Sequence, residues 1–208
     1  MAAVVLPIFP LPDVTFFPHT VLPLHIFEAR YRAMIGDALS RERRLAVVQL
    51  RPGFEAEYGG KPAVHAVAGA GEIVSAERLP TGRYNIALKG DMRVRIVREL
   101  PADTLYRLVL AERLEDTAPT TDVSPVLDRI RAACRRLLET LGRPLDLLDG
   151  ALAAGLAPGV IADRVASAVL PSATLRQELL ETTDVGHRLV RIAGALDDLV
   201  GELRGRRE

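Results

Sequence analysis

The chain has 208 residues, of which 49% are hydrophobic, 26% charged and 4% aromatic, with 27 Lys plus Arg against 27 Asp plus Glu. This is long enough to bury roughly 70% of the unfolded surface, and the composition excludes global disorder and a net charge that would recruit nucleic acid or anionic lipid. No stretch of about 18 uninterrupted apolar residues predicts a membrane span, and the single Cys134 excludes an internal disulfide, so the expectation is a soluble, cytoplasmic protein.

Strands come first. Val4–Phe9 and Leu45–Leu50 are apolar runs of strand length, and residues 64–75 are rich in Val, Ala and Gly and hold one or two more. Between them, Tyr31, Met34, Ile35, Ala38 and Leu39 recur at helical spacing, which predicts a helix from Glu28 to about Arg41. In "SAERLPTGRYNIALKGDMRVRIVREL" two alternating runs flank Gly90-Asp91, which predicts a hairpin with its turn there. Residues 105–114 alternate again.

The pattern changes at residues 115–125, "EDTAPTTDVSP", whose polarity and prolines predict a linker between two domains, 1–116 and 122–208. Ser124 and Pro125 read as the cap and first position of a helix that Gly142 and Pro144 end. Its apolar face would hold Cys134, either as a buried small residue or as a thiol perturbed by Arg135 and Arg136. Further helical segments are expected over 145–154 and 159–169, and Thr174 with Gln177 forms a capping box. The last helix starts near Val185. Its apolar residues Leu189, Ile192, Leu196, Leu199 and Leu203 form a heptad-like seam, for packing within the chain or for self-association.

Catalytic signatures are missing. Around Gly60-Lys61, a phosphate-binding loop would need glycine at 55 and Ser or Thr at 62, where Glu55 and Pro62 stand. No serine lies in a G-x-S-x-G elbow, and His19, His25, His65 and His187 have no metal-ligand spacing. No catalytic, cofactor-binding or metal-binding residues are therefore assigned. Arg78, Arg83, Arg93 and Arg95 flank the expected hairpin, as a basic face for phosphates or as the solvent side of an amphipathic sheet.

Three segments carry a family resemblance in order along nearly the whole chain: "LPIFPLPDVTFFPHTVLPLHIFEARYRAMIGDAL" over 6–39, "AVAGAGEIVSAERLPTGRYNIALKGDMRVRIVREL" over 66–100 with Gly90, Arg93, Arg95 and Ile96 in a GxxRxRI strand, and "APGVIADRVASAVLPSATLRQELLETTDVGHRLVRIAGAL" over 157–196. The joint pattern resembles the Lon protease N-terminal domain. That resemblance implies an α+β fold, a PUA-like β pseudo-barrel with one early helix followed by an all-α helical bundle ending in a long helix. It also implies a non-catalytic module that binds extended or unfolded polypeptide, with an AAA-type protease or chaperone as partner. The ATPase and serine-lysine peptidase of the full enzyme would follow the long helix, and the motifs of neither are present, so the resemblance is to a stand-alone bacterial Lon-domain protein. Phe16, Phe17, His19 and Tyr31 are the candidate polypeptide-binding residues, with burial in the core as the competing role of the aromatics. The alternative function is recognition of RNA or a small ligand, on the analogy of PUA-like folds and through the arginines named above.

Overall fold

The β-rich half closes on itself. A computed structural model describes residues 3–57 and 60–205; Met1, Ala2, Tyr58, Gly59 and residues 206–208, which belong to the expected domain ranges and in part to the phosphate-loop comparison, lie outside the described residues. The chain forms two units, Met1–Glu115 and Asp116–Glu208.

The first unit contains β1 (Ala3–Leu11), β2 (Val21–Ile26), α1 (Ala29–Leu39), β3 (Arg44–Gln49), β4 (Val67–Arg78), β5 (Tyr84–Leu100) and β6 (Arg107–Leu114). The strand order is β2-β5-β4-β3-β1-β6, and β5 also pairs with β6, so five strands make a closed ring with β2 attached outside it. The length of β5 makes this possible. Its first part, Tyr84–Lys89, pairs with β2, and its second, Arg93–Leu100, pairs with β6, while β4 runs along its other edge.

Period-two alternation sorts the strand side chains onto two faces. Leu6, Ile8, Ala46, Val48, Ala68, Ala70, Val94, Val109 and Ala111 fill one cluster. The opposite side of the same strands, through Phe9, Leu45, Val47, Ile73, Ile86 and Leu88, packs with Tyr31, Met34, Ile35 and Ala38 of α1. The helix spacing read from residues 31–38 is thus the spacing of a face laid on a sheet.

The hairpin turn expected at Gly90-Asp91 lies elsewhere. The β4–β5 turn is at residues 80–83, where Gly82 takes φ 77° and the Leu79 amide donates to the Arg83 carbonyl at 2.8 Å. Gly90 is inside β5, at a register shift where Gly71 pairs with Gly90 and Ala70 with Met92, leaving Asp91 as the extra residue of a bulge. A glycine and an aspartate between two alternating runs carry the same local signal for a turn and for a bulge.

The second unit is helical: α2 (Ser124–Leu141), α3 (Asp149–Leu152), α4 (Pro158–Val169), α5 (Ala173–Glu181) and α6 (Val185–Gly205). α2 has Pro125 in its first turn and ends at Gly142, left-handed at φ 61°. The cap of α5 is Ser172, whose hydroxyl accepts from the Leu175 amide at 3.2 Å, two residues before the expected Thr174. On α6 the buried positions are Val185, Arg188, Leu189, Ile192, Ala193, Leu196 and Val200, on a helix that packs with α2 and α4; Leu199 and Leu203 are only partly covered. The seam follows the 3.6-residue period of a straight helix packed within its own unit.

Part of the expected linker is ordered into this unit. Thr117 forms a bridge with Asp184. Asp116 receives both terminal nitrogens of Arg188, at 2.7 and 2.6 Å. Arg188 is 1% exposed and lies 3.7 Å from the fully buried Asp163, so one guanidinium from α6 ties the unit's first residue to α4.

Candidate functional site

The segment between β1 and β2 crosses the sheet at very short range. A Cβ on Gly69 would lie 1.7 Å from the Phe16 carbonyl oxygen, and one on Gly90 would lie 2.2 Å from that of Phe17. Only glycine admits this approach. The crossing is fixed by the His19 amide donating to the Gly90 carbonyl, the Gly90 amide donating to the Thr20 carbonyl, both at 2.9 Å, and the Thr20 hydroxyl donating to the Phe17 carbonyl at 2.7 Å. His19 takes φ 63° in the tight turn that follows.

This geometry corrects the expected recognition surface. Phe16 is 2% exposed and Phe17 is fully buried, both pressed inward by the crossing. His19 is exposed at the turn, apart from them. Tyr31 is buried too, its ring tilted 50° against that of Phe9 with centroids 4.3 Å apart and covered by the Arg30 guanidinium 4.6 Å above it.

Tyr31 does line a cleft of about 580 Å³ between the end of β1, the start of α1 and the 99–107 segment. Its apolar lining comes from Ile8, Pro10, Leu50, Leu100, Leu105 and Tyr106. Leu105 is 70% exposed, the most exposed of the large apolar side chains described. Four of the charged groups around the cleft are paired, Arg30 with Glu28 at 3.0 Å and Arg107 with Glu99, the Arg107 side chain also donating to the Pro62 carbonyl at 2.8 Å, and the exposed Lys61 lines it as well. Tyr106 donates to Asp37 at 2.8 Å. Burial, that hydrogen bond and the Asp37 charge push the Tyr106 hydroxyl up to about 12, so it remains a donor near neutrality.

Apolar side chains from several segments, with Lys61 also in the lining, suit an elongated ligand with apolar groups. Leu105, Leu100 and Arg107 were missed from the sequence. Leu105 was read as the first residue of the alternating run 105–114, but the strand begins at Arg107 and leaves Leu105 outside it.

The arginines do not form a single basic face. Arg78, Arg83 and Arg95 are exposed, but Arg93 is 3% exposed. Arg78 and Arg83 sit at the β4–β5 turn, and the strand from Tyr84 to Met92, about 30 Å at 3.3 Å per residue, separates them from Arg93 and Arg95. Arg95 also stands opposite Glu112 in the β5–β6 register. Among the described residues, no group of three His, Cys, Asp or Glu could hold a metal ion, and no helix is long and apolar enough to cross a membrane. Cys134 is buried, which pushes its thiol up to about 11 and leaves it a small core residue rather than a nucleophile.

A closed mixed sheet with one helix on its face, followed in the chain by a helical unit, defines an α+β protein of the Lon N-terminal fold, as two solved structures show. The N-terminal domain of the Mycobacterium avium complex Lon protease superposes with a TM-score of 0.75 at 17% identity, covering 94% of this chain and 99% of that one. A Lon N-terminal domain protein from Xanthomonas campestris gives 0.67 at 20% identity, covering 92% and 98%. Residues 5–198 match the ATP-dependent protease La (LON) substrate-binding domain, and the chain belongs to that family. Similar curated proteins include the Lon protease of Xanthomonas oryzae, 27% identical over 92% of this chain, and Lon protease 2 of Syntrophobacter fumaroxidans, 28% identical over 84%. The chain spans about a quarter of the length of these relatives, 23% and 22%.

Proposed function

We propose that the protein is a non-catalytic polypeptide-recognition module of the Lon type, and that the cleft beside Tyr31 and Leu105 is where an extended apolar segment binds. Family membership supplies the substrate-recognition role. The observation that carries the site is Leu105, a large apolar side chain held in solvent at the rim of a cleft lined by further apolar side chains. Covering such a side chain is worth roughly 1.5–3 kcal/mol. The barrel is read as PUA-like, the helical unit as a bundle, the compartment as the cytoplasm, and an ATP-driven protease or chaperone as the partner receiving the captured chain.

Fluorescence anisotropy with a labelled, reduced and alkylated unfolded protein tests this reading. Leu105→Glu is expected to weaken binding at least tenfold while leaving the thermal midpoint unchanged, because the side chain is exposed. Undiminished binding by this folded variant would remove the cleft from the reading, and absence of binding by the wild type would remove the reading itself.

A further inference from the structure

The ring of strands has a gap along β1. β1 and β3 pair in parallel only from Ile8↔Ala46 to Leu11↔Gln49, although β1 pairs with β6 from Ala3 and β3 pairs with β4 from Arg44. Toward its N-terminal end β1 therefore parts from β3, and Ala3–Leu6 pair with a strand on one side only.

The backbone groups that face the gap can be identified. The Leu50 amide donates to the Leu11 carbonyl at 3.0 Å, so Leu11 directs its backbone groups toward the β3 side. In a strand these directions alternate residue by residue, which turns Phe9, Pro7, Val5 and Ala3 the same way. Ile8, Leu6 and Val4 point to β6. Pro7, which lacks an N–H, thus occupies a position where β6 requires none. The gap is left with the Val5 N–H as a donor and the Val5 carbonyl as an acceptor, while the Pro7 carbonyl faces the Ala46 amide in the β1–β3 ladder.

A cleft of about 600 Å³ opens on this edge, lined by Val5, Pro7, Leu108 and Ala38 and by three arginines, Arg41, Arg43 and Arg44. Asp91 engages Arg44 in a bidentate pair at 2.6 and 2.7 Å. The other two are not matched by acids: Arg43 uses its Nε on the Ile73 carbonyl at 3.1 Å, and Arg41 meets no carboxylate among the described residues. The acids lining the cleft are Asp37, which accepts from Tyr106, and Glu42. Where β3 joins β1 at Ala46 the gap closes, so an added strand running parallel to β1 has to stop there.

We infer that this gap takes the C-terminal end of a polypeptide as an added strand parallel to β1, with its free carboxylate received by Arg41 and Arg43. Main-chain hydrogen bonds to an exposed edge supply affinity independent of sequence, and a guanidinium matches a terminal carboxylate in charge and shape. The inference rests on the polypeptide-recognition reading but uses residues separate from Leu105.

The test uses the full chain and two fluorescein-labelled probes, Ala-Val-Ala-Val-Leu with a free C-terminus and the same peptide amidated. The free acid is expected to bind at least tenfold more tightly than the amide. It should slow hydrogen exchange at the Val5 amide at least tenfold, measured by nuclear magnetic resonance. Arg41→Glu, at an exposed position, should reduce the free acid to the level of the amide, and Leu105→Glu should not change it. Equal binding of the two peptides, or binding that leaves Val5 exchange unaltered, overturns the inference. If the unfolded protein binds through Leu105 while the free-acid peptide shows no binding, the gap reading falls and the cleft reading stands; protection of Val5 without any Leu105 dependence gives the reverse.

Discussion

The two units solve the burial problem differently. In the first, the core is apolar and its tightest constraint is backbone against backbone: the Phe16-Phe17 segment lies across Gly69 and Gly90, with no room for a methyl group. In the second, helices pack by apolar faces around one desolvated ion cluster, Arg188 with Asp116 and Asp163. A sheet crossed by chain depends on the absence of side chains at particular points, whereas a helical unit tolerates a buried charge only if its partners are held in place.

Arg188→Met should break that contrast most severely. Removing the guanidinium leaves a fully buried Asp163 without its cation, and a loss of about 3–5 kcal/mol is expected by urea denaturation. A loss below about 1 kcal/mol would mean that the cluster does not hold the unit. Phe17→Ala in the first unit should cost a similar or slightly smaller amount, about 3–5 kcal/mol, by the same measurement. A stable Phe17→Ala variant impaired only in binding would restore Phe17 to a surface role.

Gly90→Ala isolates the backbone approach. Its methyl group must displace the Phe17 carbonyl or the Phe16 ring, so the expected cost is about 1–3 kcal/mol, where an ordinary strand position would gain from the same change. The smallest effect is at Cys134. Its thiol is raised from 9.0 to about 11 in the folded chain, so above about pH 9 the unfolded chain loses this proton first. The associated stability is complete below that pH and is lost as pH rises toward about 11. Wild type should therefore lose stability over this window relative to Cys134→Ala, and parallel pH profiles of the two would place the thiol in water.

The helical unit was the more legible of the two. Pro125, Gly142 and the buried face from Ile130 to Leu138 are local signals, α6 begins at Val185 as indicated, and α2 begins one residue early, with Val123 rather than Ser124 at the cap position. The strands β1 and β3 were visible as apolar runs and β6 through alternation, but Gly90 was not interpretable as part of a bulge because its reason for being glycine lies at Phe17. Sequence left the aromatic pair open between surface and core for the same cause, and the structure buries both rings. Tyr31 was noticed, yet its role as a cleft wall depends on Leu105 and Pro10, which only the closure of the ring brings near it. The Arg188 cluster joins residues from three separate segments, and nothing local marks Arg188 among the other helical arginines.

β1 and β6 also impose an order on synthesis. Ala3 pairs with Glu112 and Ile8 with Arg107, so the first strand made waits for the last before its edge is matched. Until Leu114 has left the ribosome, the ring cannot close, and the apolar residues Leu6 and Ile8 are exposed to whatever else is nascent. Contacts so distant in sequence are slow to form, whereas each helix of the second unit can begin as soon as it emerges. Until β6 has emerged the β-rich unit is an open sheet, and the β6-facing edge of β1 is the part of it that stays unmatched longest.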